Sequence, residues 1–470
     1  MSEADPRADG DRGTIVYVTS GIFGYLYRFF PIGRALRDRG HHVVVVSPSA
    51  DAVTHAHGEG FEARHLRRDQ ESLDGIERSA WPPRWAPLLR RVPGVSLGPR
   101  SAARTEWARR AAILGDPGEL SGLLDDLDPA IVLTEAEEHR AIRVALAAGL
   151  DVIVFEDLYS TRPGPDVPFP ARSHQIPDGS RRSRVRSRLR WERFFAAEAV
   201  RRRAERWWVD GNDLDSILGR LGEVAGLAEG PPRRIGRRYL QFYDYLAIPR
   251  IRTVAPELTF PGEPQPPTVV GPIVDPDRLM HDVDPGFESR WAEVLRRRNA
   301  GARIVYVSLG TFLSGLVDLT RTVIEAAEEV PNTEIIVSVG RDHERWRGID
   351  LGDRVAVFGR VPQMTVLAEA DVVVSTGGLN TGHEALWFGV PVLNLPVAGL
   401  DTPGNAARIA YHGAGRRLVP GGINVDTVRV GIAELLDDPD YRERARQLSL
   451  HLRSRTAVDA AVAVIESAAR

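Results

Sequence analysis

Four consecutive valines, Val43, Val44, Val45 and Val46, rule out most of the folds open to this chain. A β-strand turns alternate side chains to opposite faces, so an unbroken apolar run needs cover on both faces. A parallel sheet with helices on each side provides that cover. The residues before the valines complete the unit. Ile15-Val16-Tyr17-Val18 reads as a strand, Gly21 and Gly24 mark a loop, and Phe29, Ile32, Ala35 and Leu36 recur at helical spacing before Gly40. Strands are also expected at 131–133 and 152–155, with a helix around 140–147 between them, and a last strand is expected around Val269 to Ile273.

A Pro/Asp-rich connection at 271–285 then leads to a second series of the same kind. Its strands are expected at 304–307, 335–339, 355–358, 372–374 and 390–393, with helix from about 425 to the end. The expected layout is a disordered tail at 1–13, one α/β domain over 14–270, a linker at 271–285, a second domain over 286–450, and a closing helical segment at 451–470 that packs back on the first domain. Two doubly wound parallel sheets facing across a cleft are the fold class this predicts.

A chain of 470 residues is long enough for two such cores. It contains no cysteine, which excludes disulfides, thiol nucleophiles and thiolate metal sites. The net charge of −3 gives no reason to expect nucleic acid as a partner. The polar, acidic start lacks the basic, then apolar run of a secretory signal, so a cytoplasmic location is expected. No His, Asp and Glu set has metal-ligand spacing, and no metal or other cofactor is expected to be required.

The stretch that carries chemistry is Asp371-Val372-Val373-Val374-Ser375-Thr376-Gly377-Gly378-Leu379-Asn380-Thr381-Gly382-His383-Glu384-Ala385-Leu386. It reads as strand, glycine loop and helix start. Unpaired amides and the positive end of a helix meet there, which suits a pyrophosphate. Asn380 and Glu384 are four residues apart and share a helix face. A carboxylate one turn into the helix suits a ribose diol.

This segment, with its neighbours, resembles the C-terminal half of the GT-B, UDP-dependent glycosyltransferases that decorate natural products. The likeness rests on Ser308-Leu309-Gly310-Thr311, Val361-Pro362-Gln363, the Gly377 to Leu386 segment, Gly389-Val390-Pro391 and Asp401-Thr402-Pro403-Gly404-Asn405-Ala406. Gly271-Pro272 and Arg39-Gly40-His41 also fall where that family has them. The resemblance implies two Rossmann-like domains, a UDP- or dTDP-sugar donor held by the second, an acceptor held by the first, and inversion at the anomeric carbon. It assigns phosphate to Asn380 and the Gly377 and Gly378 amides, with Thr376, Thr381, Ser308, Gly310 and Thr311 around them. It assigns ribose to Glu384, the base edge to Gln363 beside Val361, and the sugar hydroxyls to Asp401 and Thr402.

Three positions depart from the family pattern. Thr376 stands where a phosphate-reaching His is usual, and Thr402 where a Gln often follows the sugar-binding Asp. Tyr25 occupies the place of the base that deprotonates the acceptor. A phenol, with an ordinary pKa near 10, is a poor proton acceptor at neutral pH. Alternative bases are Glu135, Glu137, Glu156 and Asp157, all at carboxyl ends of strands. An acceptor that is already nucleophilic, or a protein that binds nucleotide sugar without transferring it, would also answer the difficulty. A sugar-nucleotide epimerase of the same fold is a further rival to transfer.

Phe23, Tyr25 and Tyr27 are candidates to line an acceptor pocket, with Arg28 in a helix-surface salt bridge. His383, three residues after Asn380, reads either as a packed or surface-exposed side chain or as a group that reaches the diphosphate in place of the missing His. The segment 181–206 holds eleven arginines with Trp191, Phe194 and Phe195 interleaved. It reads either as a solvated helix with an apolar seam or as a basic helix meeting a membrane or an anionic, lipid-like acceptor.

Overall fold

The computed structural model describes residues 13–66, 100–159, 163–164, 166–168, 175–209, 216–217, 219, 248–263, 268–278, 280, 283–309, 316–346, 349, 351–397 and 401–469. The tail expected at 1–13, save Gly13, and the site residues Gly310 and Thr311 lie outside them. The chain forms two compact units. The first comprises Met1–Glu156, Leu189–Thr253 and Ala457–Arg470; the second comprises Asp157–Arg188 and Val254–Thr456.

The sheet of the first unit has strands β1 (Thr14–Val18), β2 (His42–Ser47), β3 (Glu62–His65), β4 (Ile131–Glu135), β5 (Val152–Glu156) and β6 (Arg250–Arg252). They lie in the order β3-β2-β1-β4-β5-β6, and every pairing is parallel. Val16 is in register with Val44 on one side and Val132 on the other. These central valines are buried with Val18, Val46, Val152 and Val154 in one core. Helix α1 (Phe23–Asp38) follows β1, and the long helix α2 (Arg181–Trp208) runs from one unit into the other.

The second unit repeats the plan with β7 (Arg303–Ser308), β8 (Thr333–Ser338), β9 (Val355–Phe358), β10 (Val372–Ser375), β11 (Val392–Asn394) and β12 (Gly415–Arg417). Its order is β12-β11-β10-β7-β8-β9, again all parallel. The continuous apolar strands divide their side chains between two cores. Ile304, Tyr306 and Val373 face one layer, while Val305, Val307, Val372 and Val374 face the other. Helix α3 (Leu379–Trp387) follows β10, and α4 (Thr402–Tyr411) follows β11. The closing helix, α5 (Ala457–Ala468), belongs to the first unit, where Arg39 at the end of α1 bonds Asp459 at 2.9 Å and Glu466 at 3.2 Å.

Two expectations need correcting. Val269 to Ile273 forms no strand, only a single bridge at Val269; the last strand of the first sheet is β6. The division between units falls at Thr253 and Val254, ahead of the 271–285 connection, and residues 157–188 side with the second unit. The reason is packing: Tyr159, Val254, Ala255 and Leu258 are buried in the second unit's core.

Candidate functional site

In both sheets the strand order reverses next to the first strand, between β1 and β4 and between β7 and β10. Ligands of doubly wound sheets bind outside the strand carboxyl ends at such a reversal.

In the second unit this point is the β10–α3 turn. Gly377 has φ +85°, and a Cβ there would lie 2.7 Å from the Thr402 carbonyl oxygen, so only glycine fits. Gly378 caps α3 from an extended conformation, with open space where a Cβ would be. Gly378 gives α3 no side-chain cap, and the amides of the first turn form the positive end of the helix, which suits an anion. Asn380 and Thr381, in the first turn, are half-buried. Asn405 on α4 ties the two turns together, its Nδ2 donating to the Gly377 carbonyl (3.1 Å) and to Asp401 Oδ2 (2.8 Å). Burial raises the Asp401 carboxyl pKa, and the charge of Asp157 raises it further, while the Asn405 bond works the other way.

Glu384, one turn into α3, is held on both oxygens. Arg278 Nη1 donates to Oε1 at 2.7 Å, and Gln363 Nε2 donates to Oε2. Gln363 in turn accepts from the Tyr306 hydroxyl at 3.0 Å. The residues assigned to ribose and base edge are thus in direct contact, and each carboxylate oxygen keeps a further lone pair for a ligand. Ser308 is buried at the end of β7, and Val361 is buried in the connection between β9 and the helix that starts at Gln363.

Three of the groups assigned from the sequence have partners within the protein. The Thr376 hydroxyl donates to the Leu309 carbonyl at 3.2 Å. The Gly377 amide is likewise taken, by Ser375 Oγ at 3.0 Å. His383 does not replace the missing His. It is buried, with Nε2 3.2 Å from the Tyr159 hydroxyl and accepting from the Ala255 amide at 3.4 Å.

The corresponding point of the first unit is lined by carboxylates and phenols. Glu135, ending β4, is fully buried and accepts from the Tyr17 hydroxyl and the Ser20 amide (3.3 Å). Burial pushes its carboxyl up to about 7, against the hydrogen bonds from Thr19 and Tyr17, and holds the Tyr17 phenol well above its usual value. Glu156, ending β5, is buried in ion pairs with Arg252 and, at 3.8 Å, Arg250. Asp157 lies in the second unit beside Asp401.

Tyr25 stands in the first turn of α1, and its hydroxyl donates to Glu137 Oε2 at 3.2 Å. The Arg28 guanidinium sits 4.8 Å from the Tyr25 ring centre. Arg28 is buried, not at the surface as expected; it donates to the Gly24 carbonyl (3.0 Å) and to Thr253 Oγ1 (2.9 Å). A small cavity is lined by Tyr17, Tyr25, Arg28, Phe29, Phe155 and Thr253. Phe23 and Tyr27 stack on each other at 5.9 Å, with Phe23 edge-on to His55. Two residues away on a helix is nearly the opposite face, so they do not line that cavity with Tyr25.

Residues 321–464 match the family model described as Erythromycin biosynthesis protein CIII-like, C-terminal domain. The zeaxanthin glucosyltransferase of Pantoea ananas is 25% identical over 93% of this chain and 91% of its own length. The oleandomycin glycosyltransferase of Streptomyces antibioticus is 28% identical over 56% of this chain and 64% of its own. Among solved structures, the glycotransferase of kitacinnamycin superposes with a TM-score of 0.61 at 23% identity, covering 97% of this chain and 98% of that one. VinC, solved with dTDP, gives 0.60 at 18% identity over 97% and 99%. The chain has the GT-B fold and is a glycosyltransferase.

For this glycosyltransferase, sequence reasoning missed Arg278 and Tyr306. Arg278 lies in the Pro/Asp-rich connection, 106 residues from Glu384, where no periodicity marks it. Tyr306 reads as one more core residue of β7. No helix among the described residues is long and apolar enough to cross a membrane.

Proposed function

We propose that this glycosyltransferase moves a hexose from a UDP- or dTDP-sugar to a small natural-product or lipid-like acceptor, with inversion at the anomeric carbon. The observation that carries this reading is the uncapped start of α3, behind a turn that only glycine can make, with Glu384 clamped one turn further on. Helix amides and dipole would meet the charge of the departing diphosphate without a metal ion. The VinC and SpnG neighbours were each solved with thymidine diphosphate, which supports a nucleoside diphosphate ligand. The names of the zeaxanthin and oleandomycin enzymes support a small natural-product acceptor.

The missing base is supplied by a relay. The acceptor hydroxyl gives its proton to Tyr25 Oη as Tyr25 passes its own to Glu137 Oε2. The acceptor oxygen then bonds to the anomeric carbon, and the bond to the diphosphate breaks with its electron pair. The phenol never becomes a strong base; it remains protonated before and after. A carboxylate at the end of the relay suits acceptors with acidic hydroxyls best.

The test is incubation of the full chain with UDP-glucose and dTDP-glucose, with and without a phenolic acceptor and with chelator present. Nucleoside diphosphate release coupled to a β-linked product is expected. Tight binding with no release would replace enzyme with binding protein, and a 2-epimer with no acceptor present would replace transfer with epimerisation.

A further inference from the structure

We propose that α2 docks this protein on an anionic lipid bilayer, lying along its surface. One face of the helix is anchored in the protein: Trp191 and Phe195 are buried and stacked at 5.5 Å, and Ser187 accepts from Gln175 at 2.9 Å. Another face exposes apolar side chains interspersed with arginines. Val185, Leu189, Val200 and Trp207 are 51%, 58%, 59% and 65% exposed. At 3.6 residues per turn these four fall within about 60° of arc, and they extend along about 33 Å of helix. The anchoring residues Trp191 and Phe195 project from the far side.

Exposed apolar side chains are ordinary when scattered singly. Here four share one stripe, and half of the exposed large hydrophobics among the described residues are on this helix. The charge around the stripe names the partner. Arg182, Arg186, Arg193 and Arg203 are exposed and lie within about 60° of Leu189 on the helix wheel, against one acid, Glu192. Apolar residues including Trp and Leu, flanked by arginines, match a helix that lies in the headgroup layer of an anionic membrane. Arginine also keeps its charge at a lipid surface, and its stem adds apolar contact. The chain as a whole carries a net charge of −3, so this attraction is local to the helix.

Sedimentation of the full chain with phosphatidylcholine vesicles, with and without phosphatidylglycerol, tests the proposal without reference to sugar transfer. Binding is expected only to the anionic vesicles, and it should fall with added salt. The triple variant Arg182→Gln, Arg186→Gln, Arg193→Gln should weaken partitioning on the order of a hundredfold. The pair Leu189→Ser and Trp207→Ser should also weaken it, and neither variant should move the melting temperature, because all five side chains are exposed. Equal behaviour with the two vesicle types would overturn the proposal. So would loss of binding in the arginine variant alone, which marks a general polyanion surface, or in the serine variant alone, which removes the role of charge.

Discussion

The two sheets share one strand order, yet their reversal points have opposite chemistry. At the end of β10 the chain offers a forced glycine and an uncapped helix, a site for negative charge. At the ends of β1 and β4 it offers Glu135 and Glu137 with Tyr17 and Tyr25 bonded to them, a site for taking protons. Topology decides where a ligand can sit, whereas the few residues after each strand decide its charge. On the proposed function, the same strand order serves the donor in one unit and the proton transfer in the other.

The sharpest way to break this comparison is at the relay. Tyr25→Phe or Glu137→Gln should each lower kcat by about a thousandfold, within the usual reach of general-base catalysis, while leaving the donor KM unchanged. The double variant should be little worse than either single one, because both act on the same proton. Steady-state kinetics checks this, and additive losses would separate the two residues.

The next effect lies in the second unit. Gly377→Ala places a Cβ 2.7 Å from the Thr402 carbonyl and asks Ala to hold φ +85°. Strain of about 3 kcal/mol taken from ligand binding is on the order of a hundredfold in nucleotide affinity. Gly378→Ala, with open space around it, should bind almost as the parent does. Fluorescence titration with dTDP distinguishes them. Arg278→Met should be milder, about tenfold in affinity, as Glu384 loses one charged hydrogen bond.

The smallest effect concerns Glu135. Its folded carboxyl, near 7, stands above the ordinary 4.5, so between those values the folded state keeps a proton that the unfolded chain has lost. Stability therefore falls as pH rises through that window. Glu135→Gln should flatten this part of the thermal-melt profile and melt higher than the parent above pH 7.

How far the fold was legible depends on burial. β1, β2, β7 and β10 are unbroken apolar runs covered on both faces, and such runs announce themselves. β3, β6 and β12 are short, partly exposed and carry Arg or Glu, so they look like loops until a neighbour pairs with them. The unit boundary was placed too late because Val254 and Ala255 resemble any linker residues until they are seen in the second core. At the β10–α3 turn, the placing of Gly377, Asn380 and Glu384 is legible because one turn and one helix set their spacing. The proton of Thr376, the inward turn of His383 and the hold of Arg278 on Glu384 depend on partners distant in sequence. Spacing carries no trace of those.

Calorimetric titration of dTDP and UDP into the full chain, and into its Glu384→Gln variant, reaches the central claim most directly. Saturable binding by the parent, weakened at least tenfold in the variant, is the predicted result. Absence of heat with both nucleotides, or an affinity the substitution leaves untouched, would contradict the assignment of α3 as the donor-binding element.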